Sequence, residues 1–393
     1  MYYDIRNIFN KFSLQTVFIL AFVIQVAVVG GVIGYLSFSN GQAAVNNLAT
    51  QLREELTARI LQELQTKVQQ PYVVNKINAN SVLQGDIDVL SGQGEHQLWQ
   101  QINVFPGTNL IYCATEREGA FLGVGRSEGG TGKILQIQVA NEETNRFTRY
   151  YEVDATGRRS FLRSVGSKVY DPRERPWYKV AKLKGESTWS EIYLDFDSLL
   201  PTITATTPIY DSQNGELLGA CATDLILSEE LNIFLRNLKI SKSGIAFIVE
   251  TSGLLIASST PDPLTLGRGE DIARLTARKS ENSLIRGAIA HLEKQFGSLR
   301  DIESSQLKFS LSGDQHYLEA ISFQDDHGLD WILVLAVPEN DFMERINQNT
   351  KMTILLCMIA LLVAIIVGIV IAKWLTDPLL KLSRSAKKIA RGE

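Results

Sequence analysis

Two long apolar segments, one near each end of the chain, stand out in the pattern of hydrophobic and polar positions. No charged residue occurs between residues 12 and 51, and none occurs between residues 352 and 372. Each segment holds about 20 or more mostly apolar residues, the length that a helix needs to cross a bilayer. The pattern therefore predicts two membrane-spanning helices, over residues 17–38 and 351–373, and excludes a cytosolic enzyme.

Charges beside these segments predict how the chain crosses the membrane. Lys and Arg are retained on the cytoplasmic side. They outnumber the acidic residues on both outer flanks, where the basic residues are Arg6, Lys11, Lys373, Lys381, Arg384, Lys387, Lys388 and Arg391. The first segment is longer than the apolar core of a signal peptide, about 7–15 residues, so we interpret it as an uncleaved anchor. We expect an inner-membrane protein with both termini, residues 1–16 and 374–393, in the cytoplasm and residues 39–350 outside it.

A helical stripe follows the first span. Its apolar residues are Val45, Leu48, Leu52, Leu56, Ile60, Leu64 and Val68. Neither Pro nor Gly occurs between residues 43 and 70. The spacing predicts one long helix over residues 40–70, ending near Pro71. Such a stripe packs either on its own domain or, in addition, against a second copy of the chain, and the pattern does not separate these two interpretations.

The rest of residues 39–350 alternates short apolar runs with Gly, Asn and Asp turns, which predicts antiparallel strands. Predicted strands of a distal module, residues 71–238, are 110–114, 121–124, 134–139, 147–153, 161–165, 202–210 and 217–223, with helices over 177–183 and 228–238, the second capped by Ser228. A membrane-proximal module, residues 239–345, has predicted strands over 245–250, 254–258, 307–312, 317–323 and 331–337 and a helix over 282–296. The predicted fold class is therefore α+β, with a long N-terminal helix and two antiparallel-sheet modules between two transmembrane helices.

The strongest candidate for a binding site is a run rich in charged, aromatic and hydroxyl groups, which contains Tyr170, Arg175, Trp177 and Tyr178. Arginine offers a planar fork of donors that matches a carboxylate, and Trp and Tyr add further hydrogen-bonding groups. An ammonium needs an anion or an aromatic face, and candidates for this role include Asp195 and Asp224. These residue types suit a small zwitterion, although a role in bracing the fold fits part of the same run.

Five segments of the chain resemble double Cache sensor domains. They are Tyr170–Tyr178, Trp189–Tyr193, Thr202–Asp211, Gly219–Asp224 and Leu329–Pro338. The resemblance covers residues 40–350 and implies a long helix followed by two stacked PAS-like modules, the distal one binding the ligand. It also implies cytoplasmic output domains of chemoreceptors, histidine kinases or nucleotide cyclases as partners.

The spacing Tyr-x4-Arg-x-Trp-Tyr, followed later by a strand aspartate, is similar to the amino-acid-binding subgroup of these sensors. By that resemblance Arg175 and Trp177 hold the ligand carboxylate. The amine is held by Tyr170, Asp224 and Tyr193, while Tyr178 and Asp195 line the pocket. Another small organic acid or amine, and a scaffold that senses through a protein partner, stay open as alternatives.

Catalytic and metal sites have no comparable support in the sequence. The four histidines, His96, His291, His316 and His327, have no second His or Cys at metal-ligand spacing, and no nucleophile motif occurs. We therefore predict no enzyme activity, metal or cofactor, with a tethered extracellular enzyme as the rival class. The acidic balance of residues 39–351 argues against nucleic-acid binding.

Leu379, Leu382, Ala386 and Ile389 follow the second span at heptad spacing. Together with Pro378 and Gly392, this segment, residues 374–393, resembles the start of a HAMP linker. Small residues recur at four-residue intervals in the spans, at Gly30 and Gly34 and at Ala360, Ala364, Gly368 and Ala372. Small residues allow helices to approach closely in lipid, although chance also produces such spacing. We expect a homodimer formed through the long helix, the spans and the HAMP segment.

Two of the three cysteines, Cys113 and Cys221, lie on strands that are neighbours if the distal sheet follows PAS-like order. Disulfides form outside the cytoplasm, so a bond is one possibility. Because cross-strand geometry rarely suits a disulfide, we predict two buried free thiols instead.

Overall fold

The computed structural model describes residues 14–129, 132–267 and 272–390. The chain divides into two compact units. One unit combines the chain up to Leu52 with the segment from Glu339 onward, and the other is Arg53–Pro338. The second unit contains both β-sheets.

The first helix, α1 (Leu14–Gln84), is longer than the sequence predicts. It contains Pro71. The sequence pattern predicts that the long helix ends near this proline, and that prediction is wrong. Proline removes one intrahelical hydrogen bond, but residues beyond it pack into the core. Val74 is fully buried, and the Asn75 amide donates to the carbonyl oxygen of Ala205 at 2.8 Å. The burial and hydrogen bonding of the residues after Pro71 therefore outweigh the loss of one intrahelical hydrogen bond at the proline.

The apolar stripe of α1 packs on its own domain. Leu56, Ile60, Leu64 and Val68 are each at most 8% exposed. This observation confirms the first of the two interpretations for this part of the helix. Additional packing of this helix against a second copy of the chain stays a prediction.

The first sheet forms the distal module. Its strands are β1 (Leu110–Thr115), β2 (Phe121–Gly129), β3 (Gly132–Ala140), β4 (Phe147–Val153), β5 (Arg159–Val169), β6 (Thr188–Trp189), β7 (Tyr193–Leu194), β8 (Pro201–Tyr210) and β9 (Leu217–Ile226). All pairs are antiparallel, and the order is β5-β4-β3-β2-β1-β9-β8-β6, with β7 also paired to β8. Three helices accompany it, α2 (Glu95–Val104), α3 (Pro176–Lys184) and α4 (Leu227–Arg236).

The second sheet forms the membrane-proximal module. Its strands are β10 (Ile245–Glu250), β11 (Leu255–Ser258), β14 (Ser304–Leu311), β15 (Asp314–Gln324) and β16 (Asp330–Pro338), in the order β11-β10-β16-β15-β14. A separate short pair joins β12 (Thr265–Leu266) to β13 (Ala273–Arg274). Helix α5 (Ser283–Phe296) packs against β14 and β16 and is capped by Asn282, whose side chain accepts two backbone N–H bonds.

The predicted fold class is therefore confirmed, and most predicted strands lie where the sequence places them. Helix α2 and the short strands β6, β7, β12 and β13 are not anticipated by the sequence pattern. Ser228 lies inside α4 and does not cap it; Ile226 occupies the N-cap position without a side-chain hydrogen bond. The predicted boundary between the two modules, residues 238–239, falls between elements, because no helix or strand is assigned between Arg236 and Ile245. The other predicted limits fall inside α1 or α6, and the division into domains stays a prediction.

The last helix, α6 (Glu339–Ala390), belongs with the start of α1 to the first unit. Both helices contain a stretch that is long and apolar enough to cross a membrane by length and composition, which in α6 is Ile354–Ile371. A side chain at Gly368 would lie 3.6 Å from Phe22, so the two helices approach each other there. Among the described residues, nothing lies within 4 Å of a side chain built at Gly30 or Gly34.

The structure joins Cys113 and Cys221 in a disulfide, so the prediction of two free thiols is wrong. The two residues are direct partners in the β1–β9 register, and their Cα atoms are 4.0 Å apart. Direct pairing across antiparallel strands places the two sulfur atoms within bonding reach, which sequence spacing cannot reveal.

Replacing both cysteines by alanine, Cys113→Ala with Cys221→Ala, should destabilise the protein by about 2–5 kcal/mol, because the bond closes a loop of roughly a hundred residues in the unfolded chain. Thermal or denaturant unfolding of the purified chain measures this effect. Cys357→Ala, which removes the free cysteine of α6, is the control and should change little. Two free thiols in non-reducing mass spectrometry of the wild type would show that the bond does not form.

Candidate functional site

Six of the seven residues singled out from the sequence line one cavity on a face of the first sheet. They are Tyr170, Arg175, Trp177, Tyr193, Asp195 and Asp224. The other lining residues are Leu110, Tyr112, Phe121, Gln138, Thr148, Phe196 and Asp197. Residues on the opposite face of the sheet, including Cys113 and Cys221, pack towards α1 and α2. The alternation of a pleated strand thus separates the core face from the pocket face.

The start of α3 positions two of the pocket residues. Pro176 is the first residue of the helix, where its missing N–H costs nothing, and Gly185 ends the helix in a left-handed conformation at φ 69°. Arg175 therefore lies at the N-cap and Trp177 within the first turn. The short helix fixes both side chains against the sheet.

Arg175 is half-buried and has no anionic partner. Within the described parts of the chain, its guanidinium makes no hydrogen bond and no ion pair within 4.0 Å. It lies over two aromatic rings instead, 5.6 Å from the centroid of Tyr193 and 5.0 Å from that of Phe196. Such cation–π contacts orient the group but leave its donors unused. The arrangement leaves a planar set of donors available to a carboxylate.

Aromatic packing holds Trp177 and Tyr170 in place. Trp177 is 1% exposed, and its ring meets Tyr112 edge-on at 4.8 Å between centroids. Tyr170 packs edge-on against Phe121 and Phe196, at 5.0 and 5.2 Å. Burial raises the pKa of Tyr170, so its hydroxyl keeps its proton. Both side chains therefore present fixed, neutral hydrogen-bonding groups to the cavity.

Asp224 is the buried anion of the site. It is 4% exposed and accepts hydrogen bonds from the Tyr112 hydroxyl at 2.8 Å and the Thr204 hydroxyl at 2.6 Å, both at Oδ1. Tyr193 and Thr204 are 2.7 Å apart at their hydroxyl oxygens. Because Thr204 gives its only proton to Asp224, Tyr193 donates to Thr204. The chain of donors orients the carboxylate, and no hydrogen bond from the described part of the chain occupies Oδ2.

Burial, together with the nearby charge of Asp195, raises the pKa of the Asp224 carboxyl to about 7, although the hydrogen bonds from Thr204 and Tyr112 act to lower it. A buried carboxylate without a paired cation is costly, so a proton stabilises it. A bound ammonium would take the place of that proton. Asp224 is thus suited to hold a cation.

The loop between β7 and β8 closes one side of the cavity. Asp195 Oδ1 accepts from the backbone N–H and the hydroxyl of Ser198, at 2.8 and 2.6 Å, which fixes the turn. Asp197 accepts from the Tyr150 hydroxyl at 2.6 Å. Leu199 has a φ of 55°, which is uncommon for a residue with a branched side chain. The cavity that remains measures about 20 Å³, room for one water molecule but not for an amino acid.

Tyr178 is the one predicted residue that does not line the cavity. It is 1% exposed and packs edge-on against Trp177 at 5.1 Å between centroids. The nearby Glu116 contributes, after burial, to raising the pKa of its hydroxyl. A contact of Tyr178 with a ligand stays a prediction.

The aspartates of the cavity are not arranged as a metal site. Among the described residues, no group of three or more His, Cys, Asp or Glu side chains could hold a metal ion.

Sequence reasoning missed Tyr112 and Thr204, which complete the Asp224 network. Both lie on strands beside Asp224, since Thr204 and Leu110 are its direct partners in the β8–β9 and β1–β9 registers. The two-residue alternation of β1 places Tyr112 on the face of Leu110, and this is the signal that could have identified it. The register itself is not readable from one sequence.

Comparison with known proteins gives one family. The family model dCache_1, described as a Cache domain, matches residues 42–346. Curated relatives include the methyl-accepting chemotaxis protein McpC of Bacillus subtilis, 24% identical over 57% of this chain and 29% of its own length. Another is the methyl-accepting chemotaxis protein PctB of Pseudomonas aeruginosa, 23% identical over 57% of this chain and 32% of its own length. The matched part of this chain spans about a third of these relatives.

Solved structures with similarity include two ligand-binding domains. That of the Pseudomonas aeruginosa amino acid chemoreceptor PctB in complex with L-Arg is 17% identical, with a TM-score of 0.43, and the match covers 75% of this chain and 97% of that domain. The sensory domain of the Campylobacter jejuni chemoreceptor Tlp3 with isoleucine bound is 13% identical, with a TM-score of 0.45, and the match covers 78% and 98%.

The family model covers more than half of the chain and matches the segment that the sequence motifs single out. The family resemblance is therefore confirmed, whereas the HAMP segment and the amino-acid-binding subgroup stay predictions. The chain belongs to the Cache domain family.

Proposed function

We propose that this chain is the sensor part of a transmembrane receptor and that its distal module binds a free amino acid. The observation that carries the proposal is a cavity with an unpaired cation, Arg175, and a buried anion, Asp224. A zwitterion satisfies both groups at once, which neither a simple acid nor a simple amine does. The ligand carboxylate would accept from Arg175 and the Trp177 indole, and the ammonium would donate to Asp224 and to the oxygen of Tyr170.

The small volume of the cavity supports a sensing role. An amino acid fits only after the residues that line the cavity move apart. A ligand shifts an equilibrium between two conformations by its difference in affinity for them. Here the difference is large, because the closed cavity has no room for the ligand. Binding therefore selects a form in which the cavity is larger.

Chain connectivity and contacts suggest a route from the pocket to the second span. Helix α3 begins with the pocket residues and leads into β6, where the Trp189 indole N–H donates to Asp325 at 2.7 Å. Asp325 lies in the turn between β15 and β16, and β16 continues directly into α6. We propose that displacement of α3 acts on this turn and reaches α6 through β16.

The membrane arrangement is part of the proposal. Two apolar helices flank the Cache domain, and the basic flanks described above favour cytoplasmic termini with residues 39–350 outside. Relatives named as methyl-accepting chemotaxis proteins support a chemotaxis output, and the small residues Gly30 and Gly34 of α1 support close helix packing in the membrane, as a homodimer contact requires. No catalytic step is assigned to this chain.

The proposal predicts that at least one of the twenty amino acids binds the full-length chain in nanodiscs and that its affinity falls in acid. Asp224 must be ionised to accept an ammonium, and its pKa is about 7 before binding. The affinity should therefore be constant above pH 8 and about tenfold weaker at pH 6, since the proton competes with the ligand. Isothermal titration calorimetry measures the Kd at each pH.

Asp224→Asn is the control, because it removes the titrating group and should give weaker binding that does not change between pH 6 and 8. The cavity lining contains no histidine that would titrate in the same range. Absence of binding by all twenty amino acids would contradict the proposed function. A wild-type affinity that is independent of pH would contradict the pairing of the ammonium with Asp224.

A further inference from the structure

The cavity carries more negative than positive charge. Its lining contains three carboxylates, on Asp195, Asp197 and Asp224, and one cation, Arg175. A zwitterionic ligand brings one charge of each sign, so it leaves this excess unchanged. The ligand that neutralises the cavity better carries an additional positive charge.

Asp197 is the carboxylate that this charge would meet. Asp224 is buried in its hydrogen-bond network, and Asp195 holds the loop turn through Ser198. Asp197 accepts only the Tyr150 hydroxyl bond and, in the described residues, forms no ion pair within 4.0 Å. Its side chain reaches solvent at the edge of the cavity. Desolvation of its cavity side and the neighbouring Asp195 raise the pKa of Asp197, as expected where negative charges lack a cation.

A second observation at the same place is the carboxamide of Gln138. The residue is 9% exposed and lines the cavity, yet its side chain has no hydrogen-bond partner in the described chain. Gln138 is the direct partner of Tyr150 in the β3–β4 register, so both lie on the same face. A buried amide is normally paired, and an unpaired one that borders a cavity indicates a ligand group there. Gln138, Tyr150 and Asp197 together form what we call the polar corner.

We propose that the cavity selects amino acids with a cationic side chain and that Asp197, assisted by Gln138, determines this preference. The inference rests on the proposed function, since Arg175 and Asp224 hold the two ends common to all amino acids. A long side chain then extends to the polar corner, where its charged end pairs with Asp197 and donates to the Gln138 carbonyl. A diamine fits less well, because it has no carboxylate for Arg175, and an acidic amino acid adds to the negative charge.

L-arginine and L-citrulline test the proposal, because they have nearly the same size and differ in side-chain charge. Calorimetry of the full-length chain in nanodiscs should give an affinity for L-arginine at least about tenfold higher than for L-citrulline, the range of one charge-assisted hydrogen bond. Asp197→Asn should bring the two affinities to within threefold of each other, because it weakens the binding of L-arginine but not that of L-citrulline. Asp301→Asn, which changes an exposed aspartate of the membrane-proximal module, is the matched control and should leave the ratio unchanged.

Each outcome separates this inference from the proposed function. Equal affinities of the wild type for the two ligands would overturn the charge preference while amino-acid binding stands. An unchanged ratio in Asp197→Asn would remove Asp197 from the role. If that variant does not fold, Tyr150→Phe replaces it. Loss of the hydroxyl that positions Asp197 should lower the ratio of the L-arginine affinity to the L-citrulline affinity severalfold. An unchanged ratio in this variant counts against the proposal. Lack of binding by any amino acid would instead refute the proposed function.

Discussion

Arg175→Ala should abolish most of the affinity for amino acids. The substitution removes the one cation that lines the cavity and leaves the desolvated ligand carboxylate without a cationic partner. Breaking a buried pair in this way costs about 3–5 kcal/mol, or roughly two to four orders of magnitude in Kd. Arg175→Lys should also weaken binding, since a point charge does not reproduce two parallel hydrogen bonds. Calorimetric titration of the full-length chain with its best amino acid measures both effects.

The matched control is Arg117→Ala, which removes an exposed arginine of the same module and should leave the Kd unchanged. Thermal unfolding separates loss of binding from loss of folding. The Arg175 guanidinium forms no hydrogen bond or ion pair with the described chain, so truncation of this side chain should shift the melting temperature little. A folded Arg175→Ala variant with wild-type affinity would assign Arg175 to the scaffold and end its role in the pocket.

Local patterns in the sequence were sufficient for most of the fold. The alternation of apolar and polar residues located strands such as Phe147–Val153 and Ile245–Glu250 with their observed limits. Pattern failed where tertiary contacts override a local signal. Pro71 reads as a helix end, yet the buried Val74 and Asn75 extend α1 through it. Helix α2 has only two buried residues, Leu98 and Ile102, which is too few for a recognisable stripe.

The residues of the candidate site likewise fall into those that a local pattern identifies and those that depend on tertiary contacts. Tyr170, Arg175 and Trp177 are close in sequence, so a short motif identifies them. The partners of Asp224 come from other strands: Tyr112 from β1 and Thr204 from β8. Which residues meet across a sheet depends on strand order and register, and a shift of one residue would turn every side chain to the other face. The Cys113–Cys221 disulfide escaped the sequence analysis for this reason as well.

Asp224→Ala should strongly reduce the affinity for amino acids but should hardly change the affinity for their deaminated analogues. The ammonium loses its anionic partner, and truncating one member of a buried, hydrogen-bonded charge pair costs about 2–5 kcal/mol. A deaminated acid has no ammonium and so loses nothing at this position, while its carboxylate still pairs with Arg175. Asp301→Ala, which removes an exposed aspartate elsewhere in the chain, is the control for the charge change.

The central claim is that one cavity holds both ends of an amino acid, with Arg175 and Asp224 as the two poles. The most direct test is a cycle of four calorimetric titrations, in which wild type and Asp224→Ala each bind the best amino acid and its deaminated analogue. The account predicts a coupling energy of at least about 2 kcal/mol between the Asp224 carboxylate and the ligand amine. Equal losses for both ligands in Asp224→Ala, which give no coupling, would contradict it.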